Sequence, residues 1–199
     1  IRRPKPDDFQ IKQAVEKIKN SKNPIIISGW GVFYYDAMEE LSNFAVKHNI
    51  PVTQTVMGYS TMKRDHSHFV GPIGGLGGKA ANNLAKETDL AICIGTKLAD
   101  FTTGSWANFE NPQFKLVSIN IARHDANKHL AEAVIGDAKV SLIELSNALG
   151  DWRSSDSWHK KSQDELKSWN EYVDKESGPT NQELPSYAHA VGAIYRNSD

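Results

Sequence analysis

Pro24-Ile25-Ile26-Ile27-Ser28-Gly29-Trp30-Gly31 is the stretch on which the fold turns. A short β-branched run without polar alternation suits a strand covered on both faces, and glycines directly after it suit a tight turn toward a helix. Such a strand belongs in the middle of a parallel sheet. Upstream, Asp7 and Asp8 precede Ile11, Ala14, Val15 and Ile18 at helical spacing, with Lys17 and Lys19 complementing the dipole of the last turn. Downstream, Asp36-Ala37-Met38-Glu39 has the form of a capping box, and Met38, Leu41, Phe44 and Ala45 share one helical stripe.

Strand, turn and helix then recur. Residues 51–55 read as a strand, a Gly-rich stretch from Gly71 to Gly78 leads into Ala80, Ala81, Leu84 and Ala85, and residues 90–94 form another apolar strand. Residues 116–121 and 133–135 follow as strands, and Asp137 is placed to cap a helix carrying Ala138, Leu142, Leu145 and Leu149. This order predicts an α/β fold, a doubly wound, Rossmann-like, mostly parallel sheet flanked by helices. Residues 152–175 are polar, with Trp158, Leu166, Trp169 and Val173 widely spaced, which predicts a peripheral helix with exposed tryptophans suited to a protein contact. Ser177-Gly178-Pro179 breaks it, and Tyr187, Val191 and Ile194 open another amphipathic helix. The expected organisation is a sheet domain over 1–150, a helical linker over 151–183 and the first element of a further domain over 184–199.

Composition narrows the function. The 199 residues carry 23 Lys and Arg against 24 Asp and Glu, a net charge of −1 that argues against a general grip on nucleic acid or an anionic membrane. No apolar run approaches the ~20 residues of a membrane span, and residues 1–6 lack the apolar region of a secretory signal, so a cytoplasmic protein is expected. The sequence opens at Ile1 without Met, which suggests a piece of a longer polypeptide. Cys93, the one cysteine, allows no internal disulfide, and its neighbours Ile92 and Ile94 point to a small buried hydrophobe.

Candidate sites gather at the glycines. Gly29-Trp30-Gly31 sits where dinucleotide folds bring backbone N–H groups to a phosphate, but Tyr34 takes the place of the third glycine, and a simple tight turn competes. Gly74-Gly75-Leu76-Gly77-Gly78-Lys79-Ala80 fails as a phosphate loop. Ile73 replaces its first glycine and Ala80 its Mg-binding hydroxyl, which leaves the glycines free to approach an anion or another backbone. His66 and His68, and His124, Asp125 and His129, lack the third and fourth ligands of a zinc set and read as solvated loops. Asp100 and the run Thr102-Thr103-Gly104-Ser105 lie at the carboxyl edge of the sheet, where open α/β folds hold ligands; helix capping is their alternative. No catalytic and no metal-binding residue is assigned.

The ordered motifs Pro24-Ile-Ile-Ile-Ser-Gly29-Trp-Gly31, Pro51-Val-Thr, Ala91-Ile-Cys-Ile-Gly95-Thr-Lys-Leu-Ala-Asp100, Val117-Ser-Ile-Asn-Ile121 and Gly136-Asp137 resemble the central domain of thiamine-diphosphate-dependent enzymes of the acetolactate synthase type. The string Asp100-Phe-Thr-Thr-Gly-Ser-Trp106, followed by Asp125-Ala-Asn-Lys-His129, is similar to the branch that hydrolyses trihydroxycyclohexane-1,2-dione in myo-inositol catabolism. The resemblance implies a three-domain, oligomeric enzyme that opens a cyclic dione by hydrolysing a carbon–carbon bond, leaving a deoxy-gluconate-type acid. Thiamine diphosphate and Mg would be held by the two flanking domains, whose motifs this chain lacks, so the chain alone is expected to be inactive. The alternative is an acetolactate synthase-type carboligase whose central domain binds FAD or ADP. Its matching positions would be Gly29, Gly31, Thr55, Met57, Gly58, Gly74, Gly75, Gly95, Lys97, Asn120, Gly136 and Asp137, with Asp100 and Lys97 near the mouth of the active site. Trp30 and Ala122 depart from the FAD pattern, the first by bulk and the second by lacking a carboxylate.

Overall fold

The computed structural model describes residues 2–198; Ile1 and Asp199, the outermost residues of the expected first and last segments, lie outside the described residues. Six strands form one sheet in the order β3-β2-β1-β4-β5-β6, every pair parallel. They are β1 (Pro24–Ser28), β2 (Val52–Gln54), β3 (Phe69–Pro72), β4 (Leu90–Ile94), β5 (Lys115–Asn120) and β6 (Glu132–Ile135). This is the doubly wound arrangement expected from the sequence, with its reversal point between β1 and β4. Both central strands are buried at every position, as continuous apolar runs require.

Helices cover both faces. On one side lie α1 (Asp8–Lys19), α3 (Met38–His48) and, after β6, α7 (Ala138–Leu149), packed over Ile26, Ile92, Ile94, Val117 and Val134. On the other, α4 (Lys79–Glu87) and the long α8 (Asp156–Glu176) cover Ile25, Ile27, Ala91 and Cys93. Short helices α2 (Trp30–Tyr34), α5 (Asp100–Thr103) and α6 (Arg123–Ala126) follow β1, β4 and β5 at the carboxyl edge, and α9 (Tyr187–Arg196) comes last. Two aspartates cap helices, the second of them as expected. Asp7 accepts from Phe9 N at 2.9 Å, and Asp137 Oδ1 accepts from Val140 N at 3.0 Å.

Four expectations need correction. Gly71 and Pro72, read as the start of a Gly-rich stretch, form with Phe69 and Val70 edge strand β3; Pro72 is tolerated there because an edge strand has no neighbour on one side. Asp36 does not cap α3. The chain coils into α2 directly after Gly29 and reaches α3 through Asp36 at φ 49°, so Ala37 takes the cap position without a side-chain bond. Trp158, expected on the surface, is 4 % exposed and donates its indole N–H to the Pro24 carbonyl at 2.8 Å. His68, expected in a solvated loop, is 7 % exposed and stacks on His159 with ring centroids 4.2 Å apart.

Candidate functional site

Open parallel sheets hold ligands where the strand order reverses, because neighbouring connections leave toward opposite faces there and open a crevice. A cleft of about 740 Å³ occupies that place, beyond the carboxyl ends of β1, β4 and β5. Its floor is the meeting of two glycine turns. A Cβ on Gly31 would fall 2.6 Å from Gly95 Cα, so no larger residue lets these backbones approach; Gly95 also takes φ 61°. The walls are aromatic and apolar. Trp30 stacks on Phe33 at 4.9 Å and meets Tyr34 edge-on at 5.6 Å, while Met57, Leu76 and Phe101 complete the rim, each about two-thirds exposed.

Polar groups in the cleft are few. Lys97 is exposed and has no ion-pair partner among the described residues, whereas Asp125, also in the lining, is held by Lys128 Nζ at 2.6 Å. Asn120 lines the cleft with both ends of its amide engaged, donating to Thr96 O at 3.1 Å and accepting from Ala122 N at 3.0 Å. Thr55 Oγ1 accepts from Gly58 N at 2.9 Å. Cys93 lies fully buried in β4, and burial pushes its thiol far above the usual range, which keeps it protonated and unreactive.

The structure therefore gathers Gly31, Thr55, Met57, Gly95, Lys97 and Asn120 around one cleft. Gly29 and Gly58 sit beneath it, against Gly95 and Ser28 respectively. Gly136 borders a small adjoining cavity of about 60 Å³. Asp100 stays outside the lining and accepts from Ser105 Oγ at 3.2 Å. Asp137 is buried, paired with Arg3 at 3.1 Å as it caps α7, so it is part of the framework. Gly74 and Gly75 pack on the α5 backbone: Gly75 N donates to Phe101 O at 2.8 Å, and a Cβ on Gly74 would collide with that same carbonyl. The residues not foreseen are the walls, namely Trp30, Tyr34, Leu76 and Phe101. One signal was present, the i, i+3, i+4 spacing of Trp30, Phe33 and Tyr34 directly after a strand.

Backbone amides decide whether a nucleotide diphosphate fits. Gly29 N donates to Ile94 O at 2.8 Å and Gly31 N to Gly95 O at 3.0 Å. In the Gly-rich loop, Gly74 N donates to Asn82 Oδ1 at 2.9 Å, Gly77 N to Gly74 O at 2.9 Å and Gly78 N to Pro72 O at 2.8 Å. These donors are already engaged, so the glycine amides of the two turns are not free to hold a phosphate. Of the two readings of the Gly-rich loop, approach to another backbone is the one realised. Among the described residues no three His, Cys, Asp or Glu side chains gather as a metal-holding group.

Comparison with known proteins agrees with the geometry. The chain is 39 % identical over 171 residues to the 3D-(3,5/4)-trihydroxycyclohexane-1,2-dione hydrolase of Clostridium perfringens (strain 13 / Type A), covering 86 % of this chain and 27 % of that protein. It is 45 % identical over 157 residues to the hydrolase of the same name, numbered 2, of Bacillus cereus, covering 78 % of this chain and 24 % of that one. Against the Bacillus anthracis (strain CDC 684 / NRRL 3495) hydrolase of that name the identity is 36 % over 206 residues, covering 96 % and 32 %. The chain thus spans about a quarter to a third of the length of these relatives. Residues 11–145, from the first buried residue of α1 to the middle of α7, match the central domain of thiamine pyrophosphate enzymes, and the chain belongs to that family.

Proposed function

We propose that this chain is the central, architectural domain of a thiamine-diphosphate-dependent hydrolase that opens trihydroxycyclohexane-1,2-dione by carbon–carbon bond hydrolysis in myo-inositol degradation. The observation that carries the reading is the 36–45 % identity to hydrolases of that name, extending over most of this chain. When bound, thiamine diphosphate supplies the carbanion chemistry next to a ketone, and Mg anchors its diphosphate. Both belong, in this reading, to the two partner domains of the longer polypeptide. FAD and ADP have no part in it, because the glycine amides that would hold their phosphates are engaged.

What this chain supplies is a rigid floor and an apolar wall. Gly31 against Gly95 fixes the carboxyl edge, Trp30, Tyr34, Leu76 and Phe101 present an exposed apolar surface to the flanking domains of the longer polypeptide, and Lys97 brings one unpaired cation to its rim. Residues 1–150 form the central domain in this proposal, 151–183 lead away from it, and 184–199 start the cofactor-binding domain. Leu184, Tyr187, Val191 and Ile194 stand exposed there as that domain would use them. The parent is proposed as a cytoplasmic homo-oligomer without nucleic-acid or membrane partners; among the described residues no helix is long and apolar enough to cross a membrane.

The test is a longer form of the same polypeptide, carrying both flanking domains and supplied with thiamine diphosphate and Mg, assayed beside the 199-residue chain. Turnover of the cyclic dione by the longer form, none by the short one, and no carboligation of pyruvate is the expected result. Carboligation of pyruvate without turnover of the dione would overturn the assignment.

A further inference from the structure

A second cleft, of about 520 Å³, lies between edge strand β3, the loop at 59–64 and helix α8. Its charge is one-sided. Lys63 and Arg64 line it and no Asp or Glu does; neither cation has an ion-pair partner among the described residues, and Arg64 rests its guanidinium 5.4 Å from the ring centre of Tyr195. Asp65, next in sequence, stays out of the lining. Gln54, at the end of β2, lines the same cleft, is 4 % exposed, and its Oε1 has no hydrogen-bond partner. A buried acceptor left alone is costly, and such an orphan marks a place where something else donates. Leu166, Trp169 and Val173 of α8 supply an apolar wall. At Gly71 the lining is open, since an added Cβ would meet nothing within 4 Å.

We propose that this cleft binds a small hydroxylated carboxylate. The carboxylate sits with Lys63 and Arg64, a hydroxyl donates to Gln54 Oε1, and the carbon skeleton lies on the α8 wall. Each part excludes a simpler ligand. Two unpaired cations disfavour a neutral sugar, acetate has no hydroxyl to donate to the orphan acceptor, and inorganic phosphate has no carbon skeleton to lie on the apolar wall. The site rests on these residues alone and stands whichever reaction the longer protein performs.

Calorimetric titration of the 199-residue chain with sodium gluconate tests it, with glucose, acetate and inorganic phosphate as separate titrants. Saturable heat with gluconate is expected, and affinity for the other three weaker by roughly tenfold or more. Arg64→Gln and Lys63→Gln are surface changes that leave the fold intact, and each is expected to weaken gluconate by roughly tenfold; Gln54→Met, of similar shape without the acceptor, weakens it too. Higher salt weakens binding in parallel. Absence of saturable heat with gluconate overturns the proposal. So does binding that Arg64→Gln and Lys63→Gln leave unchanged, or phosphate or acetate binding as tightly as gluconate, which would make the cleft a plain anion patch.

Discussion

The two faces of the sheet are closed by different means. Over one, α1 ahead of the first strand, α3 from the β1–β2 crossover and α7 directly after the last strand lay apolar stripes on Ile26, Ile92, Ile94, Val117 and Val134. Over the other, α4 offers mostly small residues, Ala80, Ala81 and Ala85, and the remaining space is filled by α8, which arrives from beyond the last strand. Helix α8 is mostly polar, so it depends on a few anchors. Trp158 Nε1 reaches Pro24 O, Asn49 Nδ2 reaches Ser154 O at 3.2 Å and Asp156 Oδ1 at 3.1 Å, and His159 stacks on His68. A stripe spreads its stabilisation over many methyl groups. Anchors concentrate it in bonds that a single change removes.

Conservative substitutions should separate the two modes. Phe44→Ala on the first face and Trp158→Ala on the second both empty a buried site and are each expected to cost about 3–5 kcal/mol in denaturant unfolding. The milder changes diverge. Phe44→Leu keeps an apolar filling and costs under about 1.5 kcal/mol, whereas Trp158→Phe also leaves the Pro24 carbonyl without its donor, adding about 1–3 kcal/mol to the lost volume. If Trp158→Phe unfolded at the same denaturant concentration as the parent chain, α8 would be held by packing alone and the contrast between the faces would fail.

Acid should weaken the anchored face. Burial lowers His68 from 6.5 to about 4, and the nearby positive charges of His159, His66 and Arg153 push the same way. Burial also lowers His159, against the carboxylate of Asp156, and His48, whose Nδ1 faces Trp152 O. Unfolded histidines take up protons near pH 6.5 while the folded ones resist, so the folded state has its full stability above that pH. Stability then declines as the pH falls from 6.5 toward about 4, by up to about 3 kcal/mol for His68 alone. Unfolding midpoints measured across this window should fall, and His68→Gln should flatten the slope. An equal slope in His68→Gln would assign the acid sensitivity to groups other than the α8 seam.

Legibility in the sequence followed the same division. Strands β1 and β4 were readable because each holds an unbroken apolar run, and the stripes of α1, α3 and α7 because their period is local. Strand β3 was not, since Phe69-Val70-Gly71-Pro72 carries two residues that weaken a strand and is stabilised by pairing with β2. The burial of Trp158 was hidden for a related reason: its partner Pro24 is 134 positions away, and nothing in the spacing of residues 152–175 points to it. At the cleft, Gly31 was legible from its place just past β1, while Gly95, Lys97 and Asn120 were legible through the family resemblance alone. The fate of the glycine amides was not, because Asn82 Oδ1, Pro72 O and Phe101 O become their acceptors only once the loops are folded.

The smallest expected effect tests whether surface charge shares in holding α8. Lys161 Nζ lies 2.7 Å from both carboxylate oxygens of Glu87, joining α8 to the end of α4, yet the two side chains are 40 % and 47 % exposed. An ion pair in that setting gains little over its hydrated parts and contributes about 0–1 kcal/mol, less at high salt. A double-mutant cycle of Lys161→Ala and Glu87→Ala, read by denaturant unfolding at low and high salt, is therefore expected to give a coupling below about 1 kcal/mol that shrinks as salt rises. A coupling as large as the Trp158→Phe effect and insensitive to salt would mean that the bidentate pair, and not the buried indole, is the principal tie between α8 and the sheet.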